Sequence, residues 1–161
     1  MSIDATAAAQ VRYAGFWRRL VAFVIDTLTV FLVLVPVALF HGIVFGIVGG
    51  VLSLSEEVVD SVWDPIGVGV GIVVTWLYFA VLESSEWQAT CGKRALGLVV
   101  TDLAGQRIGF VRATIRHFAK ILSSVFAGAG FLLIAGTSQK QALHDGIAKT
   151  LVVRRSRQLA A

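Results

Sequence analysis

A long interval without any basic residue most constrains what this chain can fold into. Residues 20–92 contain no Lys or Arg, whereas three basic residues precede this interval and eleven follow it. Two apolar runs, at about 17–40 and 66–82, are each long enough to cross the hydrocarbon core of a bilayer as a helix. Because 57% of the residues are hydrophobic and only 15% are charged, an ordinary soluble globule is excluded. The sequence predicts a membrane protein with two full transmembrane helices.

The placement of the charges predicts the orientation of these helices. Seven of the ten acidic residues fall inside the interval that lacks basic residues. Lys and Arg are enriched in cytoplasmic loops, so we expect both termini and the segment 83–116 in the cytoplasm and the acidic segment 56–64 outside. The net charge of +4 is then a topology signal, and we expect membrane lipid rather than nucleic acid as a partner.

A third apolar segment, 121–136, is short for a complete crossing and is rich in glycine near its centre. A full crossing would place the C-terminal basic residues outside, against the charge bias. We therefore favour a re-entrant or in-plane segment, and a third complete crossing is the alternative.

Short β-prone runs predict a small cytosolic β element. The runs at 98–101 and 107–110 flank a DLAGQ turn, which favours a hairpin. The run TLVV at 150–153 resembles GLVVT and is expected to pair with the first of these strands. The predicted fold is an all-α membrane protein with this β element attached, folded as a single domain over 1–161.

The C-terminal segment 138–154 is predicted to form a helix followed by a strand. Ser138 and Gln141 have the spacing of a capping box, which typically opens a helix. We expect this helix to dock on the cytoplasmic ends of the membrane helices.

Three glycines, Gly42, Gly46 and Gly50, recur every four residues and lie on one side of a helix. We name them the glycine face. Small residues at this spacing let a second helix approach closely, although glycine-rich apolar helices are also simply common in membranes. A straight helix through this region would exceed the bilayer thickness, so Pro36 or His41 is expected to bend or end it.

Asp26 is the candidate site for binding a proton or a cation. It lies two turns inside the first apolar run, where an ionised carboxylate costs ~2.5 to 3.5 kcal/mol. Arg19 precedes it by seven residues, which places both side chains on one helix face. A structural ion pair with Arg19, Arg116 or Lys120 is the alternative, and the sequence leaves both open.

A basic stripe and an His-Asp pair complete a candidate polar network. Arg112, Arg116 and Lys120 recur every four residues, which indicates either an anionic-ligand or headgroup site or, as we favour, an interfacial helix anchored by snorkelling. Asp145 is expected to pair with Arg112 or Arg116. His144 and Asp145 point about 100° apart on a helix, so they cannot form a catalytic dyad.

The chain lacks the patterns of an enzyme. Neither a nucleophile elbow nor a Cys/His cluster with zinc spacing is present in the sequence. We therefore expect no catalysis, no metal site and no cofactor.

Four blocks of sequence resemble the RDD family of bacterial membrane proteins. They are GFWRRLVAFVID at 15–26, QATCGKRALGLVVTDLAGQRIGF at 88–110, RATIRHFAK at 112–120 and QALHDGIAKTLVV at 141–153. The family is named for one Arg and two Asp, and the resemblance matches these to Arg19, Asp26 and Asp145. The chain departs from the family pattern at Cys91, where many relatives have Pro, and at Lys149, where Gly is usual.

The resemblance implies a bacterial inner membrane location and suggests transport. Two functions remain from different classes. In the first, Asp26 binds a proton or cation within a homo-oligomer, whose interface would be the glycine face. In the second, the chain is a non-catalytic accessory or scaffold subunit of a larger membrane complex.

Overall fold

The computed structural model describes residues 12–125 and 141–155. Within these ranges the chain forms five helices and two strands. In chain order they are α1 (Phe16–Val51), α2 (Glu56–Ser84), α3 (Cys91–Ala95), β1 (Leu98–Asp102), α4 (Phe110–Val125), α5 (Leu143–Ile147) and β2 (Thr150–Arg154).

The helices α1 and α2 are both long and apolar enough to cross a membrane. They pack antiparallel, because the Asp26 end of α1 contacts Tyr78 near the end of α2 while Gly49 lies against Val59 near its start. Large apolar side chains remain exposed along both helices, including Phe40 at 71% and Val68 at 64%. A surface of this kind suits lipid rather than water.

The helix α1 is longer than the sequence predicts. It continues through Pro36 and His41 without interruption and ends at Val51. The expectation that Pro36 or the His41-Gly42 pair would end the helix is therefore wrong, and the alternative, a bend at one of them, stays a prediction. Proline removes a single backbone donor, and the apolar residues that follow it keep the remaining helical hydrogen bonds intact.

The acidic segment 56–64 forms the first turns of α2 and not a separate loop. The hydroxyl of Ser55 accepts a hydrogen bond from the Val58 amide and caps the helix. Glu56 and Glu57 lie in the first turn, where the helix dipole favours negative charge. The acidic residues thus start the helix, and the chain turns between 52 and 55.

The two strands pair antiparallel, with Leu98 opposite Arg154 and Thr101 opposite Leu151. This register confirms the predicted pairing of TLVV with GLVVT. The predicted hairpin is wrong, because only a single bridge joins Thr101 to Arg107 and α4 begins directly afterwards. The carboxylate of Asp102 accepts hydrogen bonds from two amides of the turn, so it is the turn and not a second strand that is stabilised here.

A small core fixes the β element to one end of the helix pair. Its fully buried residues come from both strands, from α4, from the facing ends of α1 and α2, and from the segments before α1 and before α4: Ala14, Ala22, Ala80, Leu98, Val100, Ile108, Ala113 and Val152. Trp76 of α2 also donates a hydrogen bond to Thr114 of α4. The start of α1, the end of α2 and the later elements therefore converge on one region.

The third apolar segment, 121–136, lies mostly outside the described residues, so neither the re-entrant nor the crossing interpretation is decided. The helix α4 enters it and is described to Val125. Of the predicted helix 138–149, the described part is α5, which is shorter than expected.

Candidate functional site

Two groups of buried polar side chains lie where α1 and α2 meet the later elements. The first surrounds Asp26. The second consists of Arg19, Glu83, Lys93, Arg116, Lys120 and Asp145, and we name it the charge network.

Asp26 is 2% exposed and accepts three hydrogen bonds. One carboxylate oxygen accepts from the Tyr78 hydroxyl at 2.9 Å and from the Gly92 amide at 2.7 Å, and the other accepts from the Thr90 hydroxyl at 2.6 Å. All three donors are neutral. The carboxylate is therefore saturated with hydrogen bonds from α2 and from the start of α3.

The expected ion pair between Arg19 and Asp26 is wrong. Seven residues along a helix separate the two groups by ~10 Å, which is a long reach even for arginine. Arg19 instead donates to the backbone oxygen of Ala14 and forms an ion pair with Asp145.

Gly92 brings α3 against α1. A Cβ atom at this position would overlap the carbonyl oxygen of Ala22 and come within 3.0 Å of the Asp26 carboxyl carbon. Only glycine permits this approach, and it carries the Gly92 amide to the carboxylate.

Arg116 is the centre of the charge network and is 1% exposed. One of its terminal nitrogens lies 2.7 and 2.8 Å from the two oxygens of Glu83. Its other nitrogens donate to Asp145 at 2.6 and 3.0 Å. A single guanidinium thereby joins α2, α4 and α5.

Further cations surround these two carboxylates. Arg19 contacts Asp145, and Lys93 contacts Glu83. Lys120 lies 3.4 Å from Glu83 and stands over the Phe79 ring at 4.1 Å. Four cations thus share two carboxylates within the described residues, which leaves an excess of positive charge.

The burial and the excess charge shift the pKa values of the network residues. Burial alone would raise the pKa of the Asp145 carboxyl, but Arg116 and Arg19 outweigh burial and hold it well below its usual range. Burial lowers the pKa of Lys93 although Glu83 opposes the shift. Burial, together with smaller effects of Lys93 and Arg116, lowers the pKa of Lys120 to about 7, although Glu83 opposes the shift.

His144 lies beside the network, with Nε2 3.5 Å from Asp145. Burial, reinforced by the charge of Arg116, lowers the pKa of His144 to about 3. Its Nδ1 atom is buried without a hydrogen-bond partner among the described residues. The imidazole is therefore neutral at physiological pH.

The predicted basic stripe divides in the structure. Arg116 and Lys120 belong to the charge network, whereas Arg112 is exposed and lies 3.5 Å from Asp102 on the surface. The prediction that Asp145 pairs with Arg112 or Arg116 is confirmed for Arg116. Arg112 lies one turn nearer the start of α4 than Arg116, and there Asp102, at the end of β1, is its partner.

Sequence reasoning missed five members of these groups: Tyr78, Glu83, Thr90, Gly92 and Lys93. Glu83 had a signal, since an acid at the end of an apolar run needs a cation and basic residues follow it closely. The hydroxyl donors of Asp26 had none, because tyrosine and threonine are common in helices and loops.

The glycine face does not pack against α2. A Cβ atom added at Gly42, Gly46 or Gly50 would meet nothing within 4 Å, and Gly49 is the glycine that contacts α2. The role of the glycine face in an interface between chains stays a prediction.

A sequence model described as the RDD family matches residues 13–149. The chain belongs to the RDD family. It is 34% identical over 147 residues to "Uncharacterized protein YxaI" of Bacillus subtilis (strain 168). The aligned region covers 87% of this chain and 96% of that relative. No solved structure matches this chain. With its two long apolar helices, this RDD protein is of the membrane type.

The three residues matched to the family name occupy two places in this RDD protein. Arg19 and Asp145 form an ion pair inside the charge network, and Asp26 accepts its hydrogen bonds from three neutral donors. Both departures from the family pattern have local consequences. The amide of Cys91 donates to the Tyr78 hydroxyl at 3.3 Å, which a proline could not do. Lys149 has a φ of 51°, a conformation that favours the usual glycine.

Proposed function

We propose that this RDD protein is a multi-pass protein of the bacterial inner membrane, with both termini in the cytoplasm, that takes part in transport by binding a proton or a cation at Asp26. The observation that carries the proposal is a buried carboxylate whose three hydrogen-bond partners are all neutral. An ionised acid in that setting gains from any added positive charge.

The ligand set suits a hard cation as well as a proton. Carboxylate and hydroxyl oxygens are ligands that hard cations accept, and the two hydroxyls at Asp26 keep lone pairs while they donate. If the two hydroxyl groups rotate, a cation can bind between their oxygen atoms and the carboxylate. A proton on Asp26 would instead turn one carboxylate oxygen from an acceptor into a donor, and the group that donated to that oxygen would lose its partner. Both events couple the charge at Asp26 to the contact between α1, α2 and α3.

Two membrane helices cannot enclose a pathway by themselves, so the proposal includes a homo-oligomer. The glycine face supports this because it is smooth and lies on the side of α1 that α2 leaves open. Copies that meet at this face would bring several Asp26 sites into one assembly, each on the side of α1 that faces α2 and α3.

Proteoliposomes with a trapped pH dye test the proposal. A sodium or potassium gradient should change the internal pH with the wild-type protein and not with Asp26→Asn, while Thr90→Val should reduce the flux. Asp60→Asn is the matched control, because Asp60 is an exposed acid near the start of α2, away from the end that contacts Asp26. Flux that persists in Asp26→Asn would reject Asp26 as the site.

A second function, that of a non-catalytic accessory or scaffold subunit, is favoured by the completeness of the Asp26 hydrogen bonds. Three donors saturate the carboxylate and tie three elements together, as a purely structural acid would. In that case the wild-type protein carries no flux, and Asp26→Asn lowers the melting temperature in detergent.

A further inference from the structure

A second basic surface lies outside the charge network, in a groove of about 610 Å³ between the start of α4, the turn after β1 and the turn between α5 and β2. Arg107, Arg112 and Lys149 line it together with one acid, Asp102. We name it the basic groove.

The basic groove has an excess of positive charge that the described residues do not neutralise. Arg112 is the partner of Asp102, whose carboxylate is also engaged by two backbone amides. Arg107 and Lys149 are exposed and form no ion pair within the described ranges. The first turn of α4 carries no acidic residue, so the positive end of the helix dipole adds to the field in the groove. The groove thus presents two unpaired cations beside a helix N-terminus, a combination that attracts anions.

The other side of the basic groove is apolar. Val111, Ile115 and Ile147 line it and are 71%, 48% and 46% exposed. The exposed apolar face of α4 continues from the groove to Phe118 and Ile121. An amphipathic helix with such a face lies along a membrane interface. A ligand that fills both the basic and the apolar side of the groove needs an anionic head next to an apolar chain.

Lys149 is held at the edge of the basic groove by the turn that ends α5. It has a φ of 51°, and its amide donates a hydrogen bond to the backbone oxygen of Gly146 at 3.1 Å. The backbone of this lysine is therefore fixed beside the groove.

We propose that the basic groove binds the headgroup of an anionic phospholipid, with Arg107 and Lys149 at the phosphate and Val111 and Ile115 against the start of the acyl chains. The charge complementarity selects an anionic head, and the continuity with the apolar face of α4 selects a lipid over a free anion. This site is separate from Asp26, so it does not depend on the proposed transport.

The full-length protein in a non-ionic detergent should be titrated separately with phosphatidylglycerol, phosphatidylcholine and inorganic phosphate. Binding is measured by native mass spectrometry and by the shift of each variant's own melting temperature. Phosphatidylglycerol should bind the wild type, while phosphatidylcholine and phosphate should not. Arg107→Gln and Lys149→Gly should each weaken the binding of phosphatidylglycerol about fivefold, and the double variant should weaken it roughly 30-fold.

Arg18→Gln is the matched control, because Arg18 is an exposed arginine near the same end of the protein but outside the groove. It should bind phosphatidylglycerol like the wild type. Equal affinity in the wild type and the double variant, or equal weakening in all variants including Arg18→Gln, would overturn the proposal. Phosphate that binds as tightly as phosphatidylglycerol and is lost in the double variant would assign the groove to a free anion instead.

Discussion

Arg116 lies 2.6 Å from Asp145 and connects α4 to α5 across 29 residues of sequence. The same guanidinium holds Glu83 of α2, so the ion pair is one side of a bridge between three helices. Both partners are fully buried. The loss of either would therefore remove one counterion from a buried network in a setting of low dielectric.

We expect Arg116→Gln to lower the free energy of unfolding by up to ~3 to 5 kcal/mol, because it removes the one cation that both buried carboxylates share. The cations that remain beside Glu83 and Asp145 replace it only in part. Arg112→Gln is the control on the same helix, four residues earlier. Its exposed ion pair with Asp102 is worth at most ~1 kcal/mol. Thermal unfolding in detergent measures both. Equal melting temperatures for the two variants would contradict the division of the basic stripe.

The stability of the protein should fall as the pH is lowered below about 6.5. The folded-state pKa of His144 is about 3, so the unfolded chain binds a proton between pH 6.5 and 3 that the folded chain does not. The pKa of Asp145 is also lowered by folding, and its contribution is present above pH 3.8 and is lost as the pH falls below that value. Melting temperatures from pH 8 to 4 measure the profile.

His144→Gln separates the two contributions. It should reduce the slope between pH 6.5 and 4, where His117, whose pKa burial also lowers, still contributes. The loss below pH 3.8, to which Asp145 contributes, should remain when the measurements are extended to pH 2.5. A variant that keeps the full slope above pH 4 would show that His144 is protonated in the folded protein.

Lys149→Gly should raise stability by about 1 kcal/mol, because glycine adopts a positive φ without the steric cost that lysine incurs. Gly97→Ala is the reciprocal control. Gly97 has a φ of 64° and open space around it, so alanine there should cost about 1 kcal/mol from backbone conformation alone. Chemical or thermal unfolding would show opposite signs for the two variants.

Gly92→Ala should be strongly destabilising, because the new methyl group overlaps the backbone oxygen of Ala22 and separates α3 from Asp26. Gly46→Ala, in the middle of the glycine face, meets nothing within 4 Å and should leave the chain as stable or gain up to ~1 kcal/mol from helix propensity. Mass measurement in nanodiscs adds a second result. A loss of oligomer in Gly46→Ala would support the glycine face as an interface.

The sequence predicted the features that can be recognised from the residues of the segments themselves. Apolar length predicts both long helices, and the similarity of TLVV to GLVVT predicts the strand pair, because β-branched runs of equal length favour pairing. The limits of α1 were harder to predict, since a proline inside an apolar helix is a weaker stop than it is in water.

The candidate site was predicted only in part, because its contacts join distant segments. The pairing of Asp145 with Arg116 followed from an acid beside a basic stripe. Periodicity placed Arg112 on the same stripe as Arg116, but the turn after β1 supplies a nearer acid and separates the two. The neutral donors of Asp26 could not be predicted, because nothing in a threonine or a glycine amide indicates which carboxylate it will meet.

The ion pair between Arg19 and Asp145 spans 126 positions, nearly the whole described chain. During synthesis Arg19 emerges first, and its countercharge is made only after every apolar segment has been translated. Until Asp145 is made, Arg19 is a cation beside the first helix, the kind of residue that the insertion machinery reads as an orientation signal. Once Asp145 arrives, the same side chain becomes a closing contact. We therefore expect one arginine to act twice, first in setting the topology and then in completing the fold.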